Sequence, residues 1–188
     1  MNKLLSFLII STLLAAATGC KKEKEQQVII IKKPKAVKAE KPQSMGNLER
    51  STDVTWMGGR YTVEIQRTAV DSLPLATDGA KRYYDNSVTV RIVRADGSTF
   101  FTRKFLKSDF KSYVDASYYD NGALLGIAFE KTQGKQLFLG ASVGSPDRAS
   151  DEYVPLIVKV DNFGNHSIEK DTKADVNSMR VDPDTEEE

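Results

Sequence analysis

The middle of the chain alternates between apolar and polar positions. Val54 and Trp56 are flanked by polar residues, and after Gly58-Gly59 the pattern resumes as Tyr61, Val63 and Ile65. A period of two puts successive side chains on opposite faces of a strand, and Gly-Gly between two such runs predicts a hairpin. Val88, Val90 and Ile92 alternate before Asp96-Gly97, and Phe100 to Phe105 make the return strand. Two further pairs, Leu125–Lys131 with Lys135–Val143 and Val154–Asp161 with Asn165–Lys170, are joined around Gly134 and Gly164.

Turn length fixes register, so each hairpin makes a checkable statement. A loop of Thr132-Gln133-Gly134 sets Phe129 opposite Leu137, Ile127 opposite Leu139, Leu125 opposite Ala141 and Gly126 opposite Gly140. A two-residue loop would bring Glu130 against Leu137 and is disfavoured for that reason. The loop Asn162-Phe163-Gly164 sets Val158 opposite Ile168 and Val160 opposite His166. In the second hairpin a two-residue Asp96-Gly97 loop puts Arg103 on the Val90 face, between Phe101 and Phe105. A three-residue loop sends it to the other face.

One helical turn interrupts the strands. Ser108 is its expected N-cap, Asp109 suits the first turn, and Phe110, Tyr113 and Val114 share a core-facing side. The fold class expected is therefore mainly β. About eight antiparallel strands in successive hairpins form a sandwich or a flattened, partly open barrel, with one short helix.

The flanks differ in kind. Asn2 and Lys3 precede an apolar run, Leu4 to Ala17, too short to span a bilayer at the usual requirement of about 20 residues. It fits the apolar region of a signal peptide over residues 1–19. Ala17-Thr18-Gly19-Cys20 resembles a bacterial lipobox, and Cys20 is the only cysteine of the chain. The expectation is a lipidated Cys20 after cleavage, with several acyl chains giving stable attachment to the membrane. Residues 20–50 are then a basic flexible tether: residues 21–50 hold nine Lys or Arg and four Glu, with no aromatic residue. Val28–Ile31 is its one β-branched run. Residues 51–170 form the globular domain, of a size that suits one core. Residues 171–188, with Asp182-Pro183-Asp184 and Glu186–Glu188, read as an acidic disordered tail. Bases and acids nearly balance in the domain, which argues against nucleic acid as a partner.

The segments "YDNSVTVRIVRADGS", "FLKSDF" and "ASVGSPD", the last followed by "YVPL", resemble an uncharacterised family of lipoproteins from gut Bacteroidota, domain of unknown function 4738. The resemblance spans about residues 46–176. It implies a lipoprotein of the cell envelope, on the outer membrane, facing either the periplasm or the cell surface. It implies no activity and assigns no catalytic residue.

Chemistry is sparse. His166 is the only histidine, and no G-x-S-x-G, phosphate loop or dinucleotide fingerprint is present. One His and a consumed Cys leave too few ligands for a zinc site. No metal, no cofactor and no catalytic residue is expected. Tyr83-Tyr84 and Tyr118-Tyr119, each followed by Asp or Asp-Asn in loop-like surroundings, are candidates for stacking on sugar rings. Arg103, if interior, is a candidate anchor for an anionic ligand. The reading is a lipid-anchored envelope protein with a non-enzymatic binding or interaction domain, its partner an envelope protein or glycan. An accessory subunit or carboxylate-dependent hydrolase acting on envelope glycan or peptide is the alternative.

Overall fold

The structure, a computed structural model, describes residues 40–172. The signal-like segment, Cys20, Val28–Ile31 and all but the start of the acidic tail lie outside the described residues.

Among the described residues ten strands form three antiparallel sheets. One sheet has the order β1-β2-β5-β6, with β1 Leu48–Trp56, β2 Gly59–Val70, β5 Asp85–Arg94 and β6 Thr99–Leu106. The second has the order β10-β9-β8-β7, with β7 Ala123–Gln133, β8 Gln136–Gly144, β9 Tyr153–Asp161 and β10 His166–Lys170. The inward residues of the two sheets meet in one core, with Trp56, Val63, Val90, Ile92 and Phe105 on one side and Leu137, Leu139, Val143, Leu156 and Val158 on the other. This is a sandwich, not a closed barrel, and it is the mainly β fold that the alternation predicts.

The expected eight strands are joined by a small hairpin, β3 Ala76–Asp78 with β4 Lys81–Tyr83. "ATDGAKRY" carries no apolar alternation, so no pattern marks it. It is held by a separate cluster, in which Ala76 and Tyr83 pack on Ala123 and Leu125.

The fourth hairpin has the expected register, with Val158 opposite Ile168 and Val160 opposite His166. The third does not. Its turn is the two residues Gly134-Lys135, Gly134 having φ of 57°, which brings Gln133 opposite Gln136. Phe129 faces Leu139, Ile127 faces Ala141, and Gly126 faces Ser142. Irregularities at Leu125 and Glu130 absorb one residue each, so Glu130 never meets Leu137. Leu125 leaves the ladder and packs in the Ala76–Tyr83 cluster instead. In the first hairpin the turn is Met57-Gly58, and Gly59 already pairs with Trp56.

Between β6 and β7 lie two helices where one was expected: a 3-10 helix, Lys107–Tyr113, and α1, Ala116–Asn121. Ser108 is not the N-cap. The helix starts after Leu106, whose N–H donates to the Asp109 carboxylate at 2.8 Å. Phe110 is fully buried, and Tyr113 and Val114 pack beside it.

The domain begins earlier than residue 51. β1 starts at Leu48, and the preceding residues bond to the sandwich as a strap. Gln43 donates to the Arg82 carbonyl and accepts from the Tyr84 N–H, at 2.8 and 2.9 Å. The Met45 carbonyl accepts from Arg148 at 3.2 Å and from Arg67 at 3.4 Å. At the other terminus Asp171 donates its N–H to the Pro155 carbonyl. Chain entry and exit therefore share the end of the sandwich that carries α1 and β3–β4, opposite the four hairpin turns of the large sheets.

Candidate functional site

That end of the sandwich holds a polar cleft of about 450 Å³. Three segments build it: the β3–β4 hairpin supplies Thr77 and Asp78, α1 supplies Tyr118 and Asn121, and the β8–β9 connection supplies Ser145 and Glu152.

Two glycines bring these segments together. A Cβ on Gly122, the residue that ends α1, would lie 2.5 Å from the Tyr118 carbonyl oxygen and 2.8 Å from that of Gly144. A Cβ on Gly144 would collide with the Glu152 carbonyl and with Tyr153. Only bare backbone lets the helix end seat on β8 and β8 on the start of β9. Gly122 donates its N–H to the Tyr118 carbonyl at 2.9 Å, closing the helix.

Polar contacts then tie the walls. Ser145 Oγ donates to Asp78 Oδ2 in a short hydrogen bond and accepts the Asp147 N–H at 3.2 Å. Thr77 Oγ1 donates to Asn121 Oδ1 at 3.2 Å, and Asn121 Nδ2 returns to the Ser117 carbonyl at 3.1 Å. Behind the cleft, Lys81 Nζ meets Asp147 Oδ2 at 2.6 Å. The hydrogen bond from Lys81 holds the Asp147 carboxyl below its ordinary range, helped by the Ala149 N–H, and the same bond raises the Lys81 ammonium. The Tyr83 phenol is pushed up, first by its burial and then by the Asp147 charge.

The cleft thus presents a tyrosine, hydroxyls, an amide and two carboxylates, and its walls carry no Lys or Arg. Such a set exchanges hydrogen bonds with hydroxyl groups and offers one ring for stacking.

Of the residues singled out in the sequence, only Tyr118 lines the cleft. Tyr83 is buried behind it as a packing residue of the β3–β4 cluster. Tyr84 is half-buried, its N–H bonded to the strap. Tyr118 and Tyr119 sit on α1, not in a loop. Tyr119 turns to the other side of the helix, where Lys107 Nζ and Lys111 Nζ lie 5.3 and 5.1 Å from its ring centre. Arg103 does fall on the Val90 face, but its guanidinium is paired with Asp109 at 2.9 Å and lies over Phe105, away from the cleft. His166 stands against Phe101 and Phe105 at the same margin of the core, with ring centres 6.2 and 5.9 Å away.

Asn121 is the amide that follows Tyr118-Tyr119 in the sequence, whereas Thr77 and Asp78, Ser145, and Glu152 carry no shared motif that marks them. The sequence reading passed over Lys107, a buried cation whose position continues the parity of Phe101, Arg103 and Phe105. That parity is a signal the sequence did contain.

Among the described residues no group of three or more His, Cys, Asp or Glu is arranged to hold a metal, and no helix is long and apolar enough to cross a membrane. No curated protein matches the chain. A family model described as a domain of unknown function (DUF4738) matches residues 25–168, most of the chain and nearly all of the sandwich, and the protein belongs to that family.

Proposed function

We propose that the protein is a lipid-anchored module of the cell envelope that binds glycan in the cleft beside α1 and has no catalytic activity of its own. The cleft carries this reading: Tyr118 beside hydroxyl, amide and carboxylate groups is a surface for a polyhydroxylated ligand. Anchoring is supported by the signal-like run and the lipobox-like residues before Cys20.

The test is retention of the chain from Lys21 to Glu188 on an array of neutral and acidic oligosaccharides, followed by titration of the best-retained one. Tyr118→Ala is expected to weaken that binding about five- to tenfold, in line with about 1–1.5 kcal/mol for an aromatic platform. Failure to retain any oligosaccharide, or unchanged affinity in Tyr118→Ala, overturns the glycan reading. Asp78 and Glu152 both line the cleft, which favours carboxylate-dependent hydrolysis as the second reading. Shortened products from an oligosaccharide, abolished by Glu152→Gln, would establish it.

A further inference from the structure

At the end of the sandwich opposite the cleft, two of the four hairpin turns carry apolar side chains at their tips. Phe163, in the Asn162-Phe163-Gly164 turn, is 82% exposed, and Met57, in the Met57-Gly58 turn, is 42% exposed. Neither turn needs its apolar side chain. The first is closed through backbone: the Asp161 carboxylate accepts the N–H groups of Phe163 and Asn165 at 2.8 and 2.9 Å. In the second, Met57 holds a left-handed conformation, φ 52°, that favours asparagine or glycine. Local costs of this kind concentrate at functional sites.

A cluster of rings joins the two tips. The Trp56 ring centre lies 5.4 Å from that of Tyr61 and 5.3 Å from that of Phe100, and Tyr61 and Phe100 are 5.9 Å apart. A Cβ on Gly164 would lie 3.8 Å from the Phe100 carbonyl oxygen, which places the Phe163 turn against the same cluster. Tyr61 and Phe100 are half-buried, so apolar surface runs from Met57 across to Phe163.

Charge and shape decide the partner. Arg60 and Lys135, beside these turns, are exposed and make no ion pair among the described residues. The Arg94 guanidinium lies 4.9 Å over the Phe100 ring. The two carboxylates of the turns, Asp96 and Asp161, are taken up by backbone N–H groups of their own loops. Free cations therefore flank the apolar tips. Turn tips are convex, and a fluid lipid interface closes around convex apolar side chains while its anionic headgroups meet the cations. We infer that the turn end of the sandwich is a membrane-contact surface, on which Phe163 and Met57 enter the interface of an anionic bilayer beside Arg60, Arg94 and Lys135. The cleft, at the opposite end, is then turned away from the lipid. Attachment at Cys20 is compatible with this, because the chain from Cys20 to Gln43 can extend to about 75 Å, beyond the roughly 40 Å length of β2. The inference itself does not depend on lipid at Cys20.

The test is co-sedimentation of the chain from Lys21 to Glu188, which lacks Cys20, with vesicles of phosphatidylethanolamine and phosphatidylglycerol. The basic residues 21–50 are present in every variant, so their own attraction to the vesicles cancels in the comparison. Phe163→Ser should weaken vesicle binding about tenfold, the loss of one largely buried phenyl ring. Met57→Asn, which relieves the left-handed turn, should weaken it further, and this separates lipid binding from folding. Arg60→Gln with Lys135→Gln should also weaken it. Tyr153→Ser removes the other large apolar residue exposed among the described residues, at the cleft's end of β9, and should leave binding unchanged. The inference is overturned if folded Phe163→Ser binds the vesicles as tightly as the parent, or if Tyr153→Ser loses as much. A parent that dimerises without lipid, through a contact that Phe163→Ser abolishes, overturns it in favour of a second copy of the chain.

Discussion

Arg103 Nη2 lies 2.9 Å from Asp109 Oδ1, while Asp109 Oδ2 accepts the Leu106 N–H at 2.8 Å. One carboxylate thus serves an inward-facing cation and caps the 3-10 helix. Asp109→Ala removes both contacts and should cost about 1–2 kcal/mol, the range for losing a cap, read as a lower urea midpoint at unchanged m. Arg103→Met should cost less, because methionine keeps packing over Phe105 and leaves no unpaired cation behind. A larger loss in Arg103→Met would mean that the guanidinium stabilises the margin through contacts other than Asp109.

Met57 occupies a left-handed conformation, φ 52°, at the first position of the Met57-Gly58 turn. Both turn residues have positive φ, the arrangement of the hairpin turn that favours Asn-Gly. A methionine side chain has no local hydrogen bond to offset that conformation, and it is also 42% exposed. Met57→Asn should therefore raise stability by about 0.5–1 kcal/mol, measured by thermal or urea unfolding. An unchanged or lower midpoint would show that Met57 makes a compensating contact.

The hairpins were legible to the extent that their turns were regular. Asn162-Phe163-Gly164 closes one turn without irregularity, so counting outward from Gly164 gives the true partners of Val158 and Val160. Arg103 shows how counting can reach the right face by the wrong route. Arg94 and Ser98 bond across Ala95-Asp96-Gly97, a three-residue loop that alone would turn Arg103 away from Val90. A shift between Ile92 and Val93 adds a second residue of slip, and Arg103 returns to the Val90 face. Bulges leave no mark in a hydrophobic pattern when the extra residue is itself apolar, as Phe100 and Leu125 are. The cleft was less legible still. Thr77, Asn121, Ser145 and Glu152 are ordinary polar residues in their own segments, and only the close seating of Gly122 and Gly144 makes them neighbours.

His166 supplies a pH dependence. Its pKa is lowered from 6.5, first by burial against Phe101 and Phe105 and then by the Arg103 charge, with Asp109 opposing. A folded pKa below the unfolded one means that the unfolded chain binds the proton more readily. The contribution of His166 is thus complete above the unfolded pKa and declines as pH falls below about 6.5, levelling off below the folded value. Urea unfolding between pH 8 and pH 5 should show this decline, and His166→Gln should flatten it. A decline of equal size in His166→Gln would assign the titration to other groups.

Cys20 gives the test of anchoring. Mass spectrometry of native protein should find acyl chains on Cys20 and a chain that begins there. Cys20→Ser should release the protein from membranes washed in high salt. Retention of Cys20→Ser would transfer the attachment to the basic residues 21–50 or to a protein partner.

Two glycines, one on β8 and one at the end of α1, separate stability from cleft shape. A Cβ at Gly140 on β8 meets nothing within 4 Å, whereas one at Gly122 meets two carbonyl oxygens at 2.5 and 2.8 Å. Gly140→Ala should be neutral or stabilising by up to about 1 kcal/mol, since it only restricts the unfolded chain. Gly122→Ala must push α1 off β8, at about 1–3 kcal/mol for an overpacked contact, and it moves the carbonyl that Lys107 grips at 2.7 Å. Because Gly122 lines the cleft and ends the helix that carries Tyr118, the same substitution should weaken oligosaccharide binding at Tyr118, and Gly140→Ala should leave it unchanged. Measuring that affinity in folded Gly122→Ala and Gly140→Ala decides the matter: loss in the first alone makes the seating of α1 on β8 the support of the cleft, and unchanged affinity in both would mean that the cleft is held independently of that seating.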